Sequence, residues 1–178
     1  MTDRRARLGL AFSAVLLAAA PLVGQTFRPP PVQHSAGGTR FGLFGFGMRA
    51  GADMNQGGQF VLSATLDIGD LFTRRLRMRP SGDIGVGNGA NSYSGSFELL
   101  YRLTDDERSL SPYVGGGLAL AGHAQCGTDS GCPSLWFNTV LGLEIRFRST
   151  FNWVLEYHAM DAFQRNRLYL GLTTRRGN

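Results

Sequence analysis

The chain has 178 residues, 43% of them hydrophobic, with 25 glycines and a formal net charge of +5. All 18 basic residues are arginine, and three of them, Arg4, Arg5 and Arg7, share the N-terminus with Asp3. Setting that head aside lowers +5 to +3, too small an excess to argue for a nucleic-acid partner, and the length suits one domain.

The arginine head is followed by an apolar run from Leu8 to Ala20 and then by Leu22-Val23-Gly24. That order describes a secretory signal peptide over residues 1–24. The run is shorter than the ~20 residues of a membrane-spanning helix, and no other apolar run of about 18 residues follows. Residues 25–39 contain Pro29-Pro30-Pro31 and predict an extended periplasmic leader. The folded domain is expected over 40–178.

From Arg40 onward the chain alternates in period two. The first strand, about Phe41 to Ala50, turns Phe44, Phe46 and Met48 one way and Gly45, Gly47 and Arg49 the other. In the second, Phe60, Leu62, Ala64, Leu66 and Ile68 alternate with Gln59, Val61, Ser63, Thr65 and Asp67, ending at a Gly69-Asp70 turn. The third, Phe72 to Val86, sets Leu76, Met78, Ile84 and Val86 against Arg75, Arg77, Arg79, Ser81 and Asp83; Pro80 predicts an irregularity. The fourth sets Phe97, Leu99, Tyr101 and Leu103 against Ser94, Ser96, Glu98, Leu100 and Arg102. The fifth, Tyr113 to Ala121, places Val114, Leu118 and Leu120 opposite Gly115, Gly117, Ala119 and Ala121, small residues that would leave room for long arginines.

After the longest connection, Gly122 to Ser134, comes the clearest strand, Leu135 to Arg148. Its odd positions are Leu135, Phe137, Thr139, Leu141, Leu143, Ile145 and Phe147; its even positions include Asn138, Glu144, Arg146 and Arg148. A helix would scatter those charges around its circumference. Past Ser149-Thr150, Phe151, Trp153, Leu155 and Tyr157 alternate with Asn152, Val154, Glu156 and His158. In the last strand Leu168, Leu170 and Leu172 oppose Arg167, Tyr169, Gly171 and Thr173.

Eight long strands, each with one apolar face, predict an all-β, eight-stranded antiparallel up-and-down transmembrane β-barrel. A soluble barrel would bury its apolar face. Strand length, glycine beside charge on the polar faces, and aromatic residues near one set of turns (Phe72, Phe147, Phe151 and Trp153) favour the apolar face outward. With both termini in the periplasm, Gly69-Asp70, Thr104 to Arg108 and Ser149-Thr150 become periplasmic turns and the longest connection lies outside.

On these parities the lumen receives Arg49, Arg75, Arg77, Arg79, Arg102, Arg146, Arg148 and Arg167, with Asp67, Asp83, Glu98, Glu144 and Glu156. Charges taken out of water must pair, so an ion-pair network that fills the barrel is expected in preference to an open conducting path.

Tyr101-Arg102-Leu103-Thr104-Asp105-Asp106 entering a turn, and Pro112-Tyr113-Val114-Gly115-Gly116-Gly117 leaving it, resemble the small outer-membrane β-barrel proteins, similar to the OmpA barrel domain and OmpX. Many members end on an aromatic residue, whereas this chain ends Thr173-Thr174-Arg175-Arg176-Gly177-Asn178. The resemblance implies a non-enzymatic outer-membrane protein of bacteria, monomeric, with a role in envelope integrity or surface contact. Its partners would be outer-membrane lipid, lipopolysaccharide and the barrel-assembly machinery. The alternatives are a barrel similar to OmpW that passes a small hydrophobic molecule, and a soluble barrel similar to lipocalins with an apolar interior.

Lipid A deacylases resembling PagL carry a His-x-Ser-Asn segment late in the barrel. Here Tyr157-His158-Ala159-Met160 lacks the serine, and His158 falls on the inward face. No tight His/Cys cluster suggests a metal, and no cofactor is expected. Cys126 and Cys132, in the longest connection of an exported chain, are expected to form a disulfide.

Overall fold

A computed structural model describes residues 38–54, 58–87, 91–104, 108–128 and 131–176. The predicted signal peptide and nearly all of the leader lie outside them. Eight strands follow one another: β1 (Arg40–Asp53), β2 (Gln59–Asp70), β3 (Leu76–Val86), β4 (Ser92–Arg102), β5 (Leu110–His123), β6 (Ser134–Arg146), β7 (Phe151–Met160) and β8 (Arg165–Thr174). Each pairs antiparallel with the next, and β8 returns to β1, so the sheet closes in sequence order. Closure leaves no edge strand with unpaired backbone groups.

The period-two pattern sorts side chains as read from the sequence. On β6, Leu135, Phe137, Leu141 and Ile145 are exposed outside, while Asn138 and Val140 are buried inside. Phe46 and Met48 on β1, Phe60, Leu62 and Leu66 on β2, and Leu118 and Leu120 on β5 are likewise exposed. Arg49, Glu98, Glu156 and Arg167 are buried. The interior is therefore polar and the belt around it apolar, the reverse of a soluble ligand-binding barrel.

The β4–β5 and β5–β6 ladders run without a shift, whereas the β1–β2 ladder slips between Phe41 and Gly45 and the β2–β3 ladder between Thr65 and Gly69. Gly69 makes the second slip possible. Its φ of +134° and the 1.8 Å at which a Cβ would meet the Arg40 carbonyl oxygen leave room only for glycine. The Asp67 carboxylate accepts from its amide at 3.2 Å.

Two boundaries depart from the sequence reading. β2 continues through Gly69-Asp70 because the extra residue is absorbed in the ladder, so the turn falls at 71–75, with Phe72 left-handed at φ 61°. That shift takes Phe72 and Arg75 out of β3. Similarly β6 ends at Arg146, which leaves Phe147 and Arg148 in the turn before β7. The irregularity predicted at Pro80 lies in its neighbour: Pro80 pairs in register with Phe97 on β4, and β2 slips on its other side.

The barrel has two different ends. At one, the chain enters β1, leaves β8 and makes the β2–β3, β4–β5 and β6–β7 turns. The other carries the remaining connections, including the β5–β6 loop closed by the Cys126–Cys132 disulfide. There, too, Asp161, Ala162 and Phe163 hold φ of 55°, 48° and 69° in succession, with the Gln164 amide donating to the Asp161 carbonyl at 2.9 Å.

Candidate functional site

The chemistry of this fold is concentrated in its interior, which inward residues of all eight strands fill in three tiers. The middle tier is built on two carboxylates. Glu98 on β4 and Glu156 on β7 have essentially no solvent exposure. Arg79 on β3 reaches both: its Nε and Nη2 donate to Glu98 Oε2 at 3.0 and 2.7 Å, and Nη2 also donates to Glu156 Oε2 at 3.0 Å. Arg49 on β1 pairs with Glu156 and donates to Ser63 Oγ at 3.2 and 2.8 Å. Tyr113 on β5 donates its hydroxyl proton to Glu156. Asn138 Nδ2 and Ser96 Oγ donate to Glu98 Oε1 at 2.7 and 2.9 Å. His158 lies between the two, Nε2 2.8 Å from Glu156 and Nδ1 3.5 Å from Glu98. These are the charge-assisted, multiply donated contacts that a desolvated carboxylate requires.

Toward the end with the longer loops, Arg167 on β8 donates from Nε to Asp53 at 3.0 Å and from Nη1 to Asp83 at 3.2 Å and Ser94 at 2.9 Å. Ser92 closes this tier by donating to Gln59 at 2.7 Å. Toward the end with the termini, Glu144 on β6 lies 3.3 Å from Arg102 and 3.6 Å from Arg77. Arg176, just past β8, pairs with Asp67 and Asp70 and donates to the Gly69 carbonyl at 3.1 Å. Burial works to lower the pKa of the Arg176 guanidinium. Its bonds and attraction to Asp67, then Asp70, outweigh burial and raise it above the ordinary arginine value.

Two tyrosines brace the guanidinium groups. Arg49 stands 4.8 Å over the Tyr169 ring and Arg79 5.9 Å over Tyr113, and His158 meets Tyr169 edge-on at 5.0 Å. Glycine supplies their space: a Cβ on Gly142 would stand 2.1 Å from Tyr113 Cζ. The β5 glycines serve another purpose than the sequence suggested. A Cβ on Gly117 would meet the Phe97 carbonyl oxygen at 2.0 Å, so they admit the close approach of β4 rather than arginine side chains.

The structure brings Arg49, Arg77, Arg79, Arg102, Arg167, Asp67, Asp83, Glu98, Glu144 and Glu156 together inside, with Arg146 half-buried at the end of β6. It corrects Arg75 and Arg148. Both are exposed in turns because β3 starts later and β6 stops sooner than the alternation implied, and Arg148 lies 5.4 Å over the Phe147 ring. The interior also holds Asp53, Asp70, Tyr113, Tyr169 and Arg176, which the strand alternation does not single out. Asp53 and Asp70 lie past the strand ends assigned to them, although the period of two runs on to Asp53. Tyr113 and Tyr169 share the polar parity, but alternation does not reveal that their rings brace guanidinium groups. Among the described residues no three His, Cys, Asp or Glu side chains converge as metal ligands would.

No family model and no curated protein matches the chain in sequence. Solved structures do match in three dimensions. The N-terminal β-barrel domain of Pseudomonas aeruginosa OprF superposes with a TM-score of 0.54 at 15% identity, over 77% of this chain and 98% of that one. Neisserial surface protein A gives 0.52 at 13% identity, over 73% and 94%. A barrel from the de novo design of transmembrane β-barrels gives 0.50 at 10% identity, over 76% and 98%. At such identities the likeness concerns fold alone, and the fold is that of the small eight-stranded outer-membrane barrels.

Proposed function

We propose that this protein is a non-enzymatic outer-membrane barrel of the bacterial envelope that acts as a monomer in envelope integrity or surface contact, with a lumen closed by its own ion pairs. The observation that supports this most is the exposed belt of Phe46, Met48, Leu62, Leu66, Phe97, Leu118, Leu141 and Leu170 around a charged interior. Such a belt is unfavourable in water and matches hydrocarbon, where a closed barrel satisfies its backbone internally. Outer-membrane lipid and lipopolysaccharide would then be its surroundings, and the barrel-assembly machinery its route there. The charged tiers that cross the interior disfavour passage of a small hydrophobic molecule, and with it a role like that of OmpW. His158 is buried within the ion pairs, so a hydrolytic role lacks both a serine beside it and access.

Fractionation tests the membrane reading. The mature protein is expected with outer membranes, to require detergent, and to change gel mobility on boiling; recovery as a soluble periplasmic monomer refutes it. Planar-bilayer recording tests the closed lumen. Wild type is expected to give no sustained large conductance, and Glu144→Ala to raise leakage by removing the carboxylate between Arg77 and Arg102.

A further inference from the structure

The two ends of the barrel differ in charge. Where the chain enters and leaves, Arg40 opens β1, Arg74 and Arg75 occupy the β2–β3 turn and Arg148 the β6–β7 turn, all four exposed. In strand order these positions run from β6 through β8 and β1 to β3. Asp105, Asp106 and Glu107 precede Arg108 in the sequence between β4 and β5, the strand pair opposite the β8–β1 seam in the strand order. The connections of the opposite end contain Asp129 and Asp161 and no arginine; Arg165 is the first residue of β8.

The arginine arc coincides with aromatic residues. Arg40 lies 5.1 Å over the Phe44 ring and Arg148 5.4 Å over Phe147, which meets Trp153 edge-on at 5.8 Å. Phe41 and Phe72 are about 70% exposed beside them, at the rim of the apolar belt. A cation held on an aromatic face at that rim stands where a headgroup phosphate lies when the acyl chains cover the belt. Guanidinium is the side chain that grips phosphate in two places.

We propose that this arc binds the phosphate headgroups of anionic glycerophospholipids in the leaflet on the side of the termini. The inference rests on the membrane reading above. Continuity with the apolar belt favours lipid over a soluble polyanion, because only lipid engages both surfaces at once. An arginine close to an anionic surface contributes on the order of a fivefold preference at low salt, and sharing among boundary positions reduces the average to roughly two- to fivefold.

The test reconstitutes the folded, full mature chain in phosphatidylcholine vesicles. Spin-labelled phosphatidylglycerol and phosphatidylcholine then report relative association with the protein. Wild type is expected to prefer the anionic label about two- to fivefold, with the preference fading as salt shortens the screening length. The combined Arg40→Gln, Arg74→Gln, Arg75→Gln and Arg148→Gln variant is expected to lose it, and Arg108→Gln, beside the acidic triplet, to keep it. The wild-type salt series stands on its own should the combined variant fold poorly. Equal association of both labels with inserted wild type, or a preference indifferent to salt, overturns the lipid site while leaving the membrane reading intact. Failure of wild type to insert in any vesicle overturns both.

Discussion

Glu156 accepts from Arg49, Arg79 and Tyr113 and lies against His158, so one carboxylate balances two guanidinium groups. Glu156→Ala would leave both buried with a single shared partner fewer, and a loss of about 3–5 kcal/mol is expected, the range for breaking buried pairs. Glu144→Ala should cost less, because Glu144 sits near the barrel end and keeps 13% exposure where water can take its place. Urea midpoints of the two variants in the same detergent check the order; equal losses would show that the middle tier is no drier than the end. At this scale the sequence was informative about parity and poor about partners. Alternation alone sends Glu156, Arg49 and Arg79 inward. Which carboxylate meets which guanidinium depends on strand register, which only the ladders reveal. Arg75 and Arg148 illustrate the limit: they lie beyond the last ladder rung, where alternation no longer decides which side a residue takes.

The β7–β8 connection carries a backbone cost. Three successive residues other than glycine are left-handed, and each such residue is disfavoured by about 1–2 kcal/mol. Local bonds hold the shape: Asn166 Nδ2 donates to the Phe163 carbonyl at 2.8 Å, and the Met54 amide donates to the Asn166 carbonyl at 2.8 Å. Ala162→Gly removes one penalty without touching those bonds. It is expected to raise stability by roughly 0.5–1 kcal/mol after the extra entropy of glycine, read as a later unfolding midpoint. Element positions were the most legible part of the chain because each strand repeats its period several times. Their ends were less so, since the bulge at Gly69 moves the first turn by several residues without disturbing the alternation that precedes it.

For the molecule as a whole, the seam between β1 and β8 is the joint that makes a barrel of a sheet. It spans Gly47–Asp53 against Arg167–Thr173, shorter than the β5–β6 ladder from Leu110 to Ala121, and it joins the first strand to the last. Beyond the ladder, Thr174 Oγ1 accepts from the Phe46 amide at 2.8 Å, and Arg176 ties the tail to Asp67 and Asp70 on β2. Arg176→Ala is expected to destabilise the closed form by about 1.5–3 kcal/mol, the worth of bonds to charged groups, and to slow refolding into vesicles. Unchanged refolding, followed by the gel shift between boiled and unboiled samples, would mean that the ladder alone holds the seam. Alternation does not reveal either contact, because Arg176 lies past the last strand and its partners depend on how β8 meets β1 and β2.

Because every cation in the lumen is a guanidinium, none can shed its proton under conditions a cell encounters. The positive half of the interior is therefore fixed in charge, and mild alkali cannot loosen the tiers by discharging it. Urea midpoints of the detergent-solubilised barrel should accordingly hold level from neutral pH to about pH 9; a fall across that range would show that the guanidinium groups do not carry the interior.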